Sequence, residues 1–151
     1  MISMTSEYAL RAMVSLASQP AGRVLLGKEL AESANIPANY LAKILVTLRN
    51  AGLVATIRGT GGGYLLQRPA SRVRLIEIVE LFEGSRVGCG CLLDRSNECN
   101  NQVACSAHDA WRLVREAYRA FLDQTTLADI SHRHRAHRHG ASSSNPIIAA
   151  P

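Results

Sequence analysis

The chain has 151 residues, 47% of them hydrophobic but only 5% aromatic, and a formal net charge of +5. That length suffices for one domain with a core of Leu, Ile, Val and Ala plus a helical extension. No apolar run is long enough to span a bilayer and no signal peptide is visible, so a cytoplasmic protein is expected, and its basic balance favours a polyanionic partner.

Residues 6–18 are expected to form a first helix, with Ala9, Ala12, Met13, Leu16 and Ala17 on one face. Pro20 and Gly22 end it, and Val24-Leu25-Leu26 reads as a short strand. A second helix runs from about Lys28 to Ala34. After the Asn35-Ile36 break, Pro37 suits the first turn of a third helix, which reaches about Ala51 and stops at Gly52. Leu41, Ile44, Leu45 and Leu48 form its apolar face, while Asn39, Tyr40, Lys43, Thr47 and Asn50 occupy the other. Two short helices joined by a tight turn, the second polar and basic on one side, make a helix-turn-helix pattern. Residues 53–57 read as a strand, Arg58-Gly59-Thr60-Gly61-Gly62-Gly63 as a glycine-rich turn, and residues 64–67 as the returning strand: a hairpin wing. A short helix follows, with Leu75, Ile78, Val79 and Phe82 on one face. Residues 84–105 lack periodicity and hold all four cysteines. A long helix from about Ser106 to Gln124 carries Ala110, Trp111, Val114, Tyr118, Phe121 and Leu122 as an apolar stripe, large enough to expect burial against a second copy. From Ser131 the chain is low in complexity, with His132, His134, His137 and His139 interleaved with arginines, and is expected to be disordered.

The expected fold class is therefore mainly α: a winged helix-turn-helix with a two-stranded wing and a long C-terminal dimerisation helix. The division is 1–83 for DNA binding, 84–105 for the cysteine-rich loop, 106–130 for the dimerisation helix and 131–151 for the tail. A recognition helix places polar side chains in the major groove while its back packs on the domain, so Asn39, Tyr40 and Lys43 are the candidate base readers. Lys28, Lys43 and Arg58 are candidate phosphate contacts, and Gly59 and Gly61 leave room for backbone approach beside Arg58. A nucleotide phosphate loop is the weaker reading of the glycines, because no Lys-Ser/Thr follows and the flanks are strand to strand.

The cysteines fall as Cys89-x-Cys91-x7-Cys99-x5-Cys105, with His108 three residues on. In a reducing cytosol thiolates point to metal or redox chemistry, with an iron–sulfur cluster favoured. Structural zinc prefers close cysteine pairs, and only Cys89 and Cys91 qualify. A thiol switch is the further alternative. Cys-His pairs also serve as nucleophilic sites, but no third orienting group is visible, so no enzyme is expected. The His/Arg tract reads either as a cationic arm adding nonspecific DNA affinity or as a metal-binding tract.

Tyr40-Leu41-Ala42-Lys43-Ile44-Leu45, then Leu48-Arg49-Asn50-Ala51-Gly52-Leu53-Val54, then Arg58-Gly59-Thr60-Gly61-Gly62-Gly63-Tyr64-Leu65-Leu66 together resemble the Rrf-two superfamily of bacterial winged-helix transcription regulators. Ser6-Glu7-Tyr8-Ala9-Leu10-Arg11-Ala12 resembles its first helix, and the likeness covers about residues 2–130. Ile2 departs from the basic residue the family usually has there. The resemblance implies a homodimeric regulator of operator DNA, usually a repressor, with a 2Fe–2S or 4Fe–4S cluster in members of the IscR, NsrR and RirA type. It implies Cys91, Cys99 and Cys105 as ligands, with Cys89 competing for the first place. The fourth ligand it implies is His108 or Glu7 of the partner subunit. Without such a role, Glu7 is a first-turn acid stabilised by the helix dipole and His108 a solvent-facing polar residue.

Overall fold

The computed structural model describes residues 2–84, 87, 90–93 and 105–131. Cys89, Cys99 and the His/Arg tract at 132–139 lie outside the described residues. The first helix, α1, is Met4–Ala17. Ser3 caps it, its hydroxyl accepting from the Ser6 N–H at 3.2 Å, which satisfies one of the donors that every helix N-terminus leaves open. Ala9, Ala12, Met13 and Leu16 are buried along one face, as the spacing predicts.

Helix α2 is Gly27–Ala34 and α3 is Ala38–Asn50. Glu29 reaches back to accept from the Leu26 N–H at 3.0 Å and closes the start of α2. Asn35 then takes a left-handed conformation with φ 52°, which its short polar side chain tolerates. The Ile36 N–H closes the turn on the Ala31 carbonyl at 2.9 Å. Pro37 stands one residue outside α3 rather than in its first turn, and its carbonyl accepts from the Leu41 N–H at 3.0 Å. Leu41, Ile44, Leu45 and Leu48 are the buried residues of α3, as expected.

Strands β1, Val54–Ile57, and β2, Gly63–Leu66, pair antiparallel from Val54 opposite Leu66 to Ile57 opposite Gly63. The expected strand at 24–26 is reduced to one bridge pair, with Leu25 and Tyr64 exchanging hydrogen bonds of 2.9 and 2.8 Å. Pro20 and the turn at Gly22, φ 79°, leave only that residue in extended register with the hairpin. The Leu53 N–H bonds the Leu48 carbonyl, and the Leu53 carbonyl takes the Gln67 N–H. One residue thereby ties α3 to both strands of the wing.

A 3₁₀ turn at Ala70–Arg72 leads into α4, Leu75–Glu83, and α5 is His108–Gln124. After α5 the chain returns to the domain, where the Leu127 N–H bonds the Val73 carbonyl at 2.8 Å and the Leu127 side chain is fully buried. Residues 127–131 are helical. Ser131, assigned on sequence to the tail, belongs to this turn and is buried. The main core joins α1, α2, α3 and β1 with Val73, Ile78 and Leu127. A second cluster of Leu75, Ile76, Val79, Val87 and Leu122 sits between α4 and α5.

The long helix departs from the expected pattern. Trp111, Tyr118 and Leu122 turn towards their own chain, with Leu122 2% exposed, whereas Val114 is 53% and Phe121 52% exposed, joined by Leu113 at 61%. The single stripe expected on sequence is thus two faces. Leu122 and Tyr118 seat in the second core cluster, and at its edge Arg119 meets Glu80 at 3.0 Å and Arg74 meets Asp123 at 2.8 Å. Among the described residues no helix is long and apolar enough to cross a membrane.

Candidate nucleic-acid interface and cysteine site

Because α3 buries its leucines and isoleucine against the core, Asn39, Tyr40 and Lys43 are left on the open side, all exposed. Lys28 is exposed in the first turn of α2. Arg58, Gly59 and Gly61 are exposed in the hairpin loop, which the Gly62 N–H closes on the Gly59 carbonyl at 2.9 Å. All seven sequence-predicted contact residues therefore reach the surface, six on α3 and the wing, which Leu53 locks together, and Lys28 on α2.

Sequence reasoning missed two features of this face. A Cβ on Gly63 would stand 2.2 Å from the Leu25 carbonyl oxygen, and one on Gly62 2.3 Å from that of Ile57. Gly63 lets the wing close on the domain and Gly62 lets the hairpin close on itself, tasks separate from leaving room for a partner. The second is support behind Tyr40. Its ring meets Tyr8 of α1 edge-on, with centroids 6.1 Å apart. The Arg11 guanidinium lies 5.6 Å from the Tyr8 ring centre, donates to the Asn35 carbonyl at 2.9 Å and pairs with Glu7 at 3.3 Å. The adjacent i, i+4 pair of Glu7 and Arg11 was the available signal.

At the start of α5 the Cys91 and Cys105 sulfurs stand 3.8 Å apart, both half-buried. The Cys105 carbonyl accepts from the His108 N–H at 2.9 Å, and His108 is only 7% exposed. Its place is inside the protein, not on a solvent-facing helix end. The Trp111 indole N–H donates to the Gly90 carbonyl at 2.8 Å. Upstream, Val87 is seated in the second core cluster. Two thiols 3.8 Å apart are soft donors of the kind that iron–sulfur or zinc ligation uses. Among the described residues no group of three or more His, Cys, Asp or Glu is arranged to hold a metal. Glu7 stays on α1 with Arg11, its side chain 56% exposed.

Residues 2–133 match the Rrf2 family, described as an iron-dependent transcriptional regulator. A Mycobacterium tuberculosis protein named as an HTH-type transcriptional regulator is 34% identical over 135 residues, covering 86% of this chain and 80% of its own. The structure of CymR, the global cysteine regulator of Bacillus subtilis, superposes with a TM-score of 0.74 at 29% identity, over 88% of this chain and 97% of that one. IscR of T. potens superposes with a TM-score of 0.70 at 26% identity, over 95% and 93%.

Proposed function

Since the chain belongs to the Rrf2 family of DNA-binding transcription regulators, we propose that it is a cytoplasmic repressor that binds its operator as a homodimer, under the control of an iron–sulfur cluster in the 84–105 loop. The observation that carries the reading is the approach of the Cys91 and Cys105 thiols to 3.8 Å at the entrance to α5. Cys91, Cys105 and Cys99 would hold the cluster, with His108 or Glu7 of the partner subunit completing it and Cys89 the alternative to Cys91. When bound, such a group supplies redox and ligand-exchange chemistry that responds to nitric oxide, iron supply or oxidants.

The chain's own residues do the rest. Lys28, Lys43 and Arg58 neutralise phosphates, giving salt-dependent affinity, and Asn39, Tyr40 and Lys43 meet base edges. The outward face of α5, with Leu113, Val114 and Phe121, pairs with a second copy. Pairing sets two recognition helices roughly 34–36 Å apart on a pseudo-palindromic site. The loop meets α5 at Cys105 and the second core at Val87, so its order fixes how the dimer helix lies on the winged domain. A change of loop state then alters operator affinity, typically by 1–3 kcal/mol.

The test is anaerobic purification with a visible spectrum, iron and acid-labile sulfide assays, and operator binding by holo and apo protein. Matched iron and sulfide that vanish in Cys105→Ser support the reading. A protein that stays colourless after anaerobic reconstitution overturns it. The second reading, a clusterless or zinc-containing regulator with a thiol switch, draws on the same 3.8 Å pair and on the likeness to the cysteine regulator. It predicts a colourless protein whose operator binding still responds to thiol oxidants.

A further inference from the structure

We propose that Trp111 is a positioning residue for the thiol pair: its indole N–H, by holding the Gly90 carbonyl, sets Cys91 against Cys105. The proposal rests on the reading that Cys91 and Cys105 act together. Trp111 is the only tryptophan in the chain, and an indole nitrogen only donates, so a hydrogen bond from it needs an acceptor placed for it. That acceptor is the Gly90 carbonyl at 2.8 Å, in the peptide unit leading into Cys91.

Packing does not account for the contact. A Cβ on Gly90 would have nothing within 4 Å, and Leu92 and Leu93 beyond Cys91 are 53% and 65% exposed. At Gly90 the segment meets the helix through a polar contact, while Val87 upstream packs with Leu122 of the same helix in the second core. Cys105 is fixed to the same helix by its carbonyl on the His108 N–H, and Trp111 follows His108 by three residues. Both sulfurs are therefore referenced to the first turns of one rigid helix. Without the tether, Cys91 would spend less time against Cys105, which lowers the effective concentration of one thiol at the other.

The experiment uses the full chain, metal-free and reduced, with Cys89→Ser and Cys99→Ser so that one thiol pair remains. Diamide, an azodicarboxamide oxidant, is added at pH 8. The two thiols lose two protons and two electrons to its N=N bond, forming one S–S bond and the hydrazide. Closure is followed by thiol titration and by mass spectrometry of the linked peptides. Trp111→Phe keeps an apolar ring and loses the N–H; Trp111→His loses bulk but keeps a ring N–H at the corresponding place, through Nε2. The expected result is closure about 5–10-fold slower in Trp111→Phe, the effect of one hydrogen bond, and restored towards the parent rate in Trp111→His.

A purely space-filling tryptophan gives the reverse order, with Trp111→His the slower, and overturns the proposal. So does an unchanged rate in Trp111→Phe. If Trp111→Phe does not fold, Trp111→His against the parent decides alone: a large loss of rate sinks the proposal. Closure of the parent pair no faster than in urea would show instead that the thiols do not work as a pair, and the proposal falls with that reading.

Discussion

The Ser6 hydroxyl on α1 donates to the Glu83 carboxylate at the end of α4, 77 residues along the chain. The Ser3 N–H joins it on the same oxygen at 2.8 Å. Glu83 directly precedes Gly84, where the cysteine segment begins, so the helix packed behind α3 is fastened to the entrance of the proposed sensor loop. Burial by itself would raise the Glu83 carboxyl, but the hydrogen bonds from Ser3 and Ser6 outweigh it and hold the group below its ordinary value. A carboxylate with a depressed folded value contributes stability that is full above about pH 4.3, its unfolded value, and is lost as pH falls through the folded one. Glu83→Gln should therefore cost about 1–2 kcal/mol at neutral pH. It should also flatten the acid limb of stability below about pH 4.3. Urea unfolding at pH 7 and at stepped acid values measures both.

The wing separates two kinds of glycine. Gly59→Ala meets open space and bears only the cost of its positive φ of 97°, about 1–2 kcal/mol. Gly63→Ala drives a methyl into the Leu25 carbonyl and breaks the Leu25–Tyr64 pairing. It should lose about 1–3 kcal/mol from overpacking, with further loss from the broken pairing. Thermal melting ranks them, and amide exchange at Leu25 and Tyr64 should rise only in Gly63→Ala.

On the proposed binding face, Lys43→Ala and Arg58→Ala should leave the melting temperature within error, since both side chains are exposed. Arg58→Ala should weaken all DNA alike and lower the salt slope by about one unit for each phosphate contact removed from a half-site. Lys43→Ala should also relax sequence preference. Operator titrations at several salt concentrations, against scrambled DNA, check both. Wild-type affinity and salt slope in the pair would remove α3 and the wing from the interface.

Adjacent residues on α5 answer different questions. Leu122 is 2% exposed within its own chain, so Leu122→Ala should cost about 2–5 kcal/mol of protomer stability. Phe121 is 52% exposed. If its face pairs two copies, Phe121→Asp should shift sedimentation to the monomer and weaken the operator complex while leaving the protomer core untouched.

Which faces of α1 and α3 turn inward was legible in the sequence, because only one side of each is apolar. The rotation of α5 was not, because Trp111, Tyr118 and Leu122 alternate with Val114 and Phe121, and periodicity alone does not say which face its own chain takes. That depends on what α4 offers: Leu75, Ile76 and Val79 take Leu122, and Glu80 meets Arg119 beside them. The family resemblance likewise named Cys91 and Cys105 without showing that they meet, and a contact such as Trp111 to Gly90, 21 residues apart, leaves no trace in cysteine spacing. The exposed positions on α3 followed from the pattern, but the aromatic support behind Tyr40 comes from another helix and left no periodic trace.

That support gives a prediction of its own. Arg11 is shared among Glu7, the Asn35 carbonyl and the Tyr8 ring, and Tyr8 meets Tyr40. Arg11→Ala removes no fully buried side chain, so the protomer should stay folded, with a loss of about 1 kcal/mol for the hydrogen bond to Asn35. Operator affinity should nevertheless fall several-fold, because Tyr40 loses the packing that restricts it. If the loss acts through Tyr40, adding Arg11→Ala to Tyr40→Ala should cost little more than Tyr40→Ala alone, leaving an interaction energy of about 0.5–1 kcal/mol in the double-mutant cycle. Additive losses would place Arg11 in direct contact with DNA and separate it from Tyr40. The same cycle with Glu7→Gln extends the test to the proposed ligand, since a carboxylate drawn away by a partner subunit would release Arg11 in the same way.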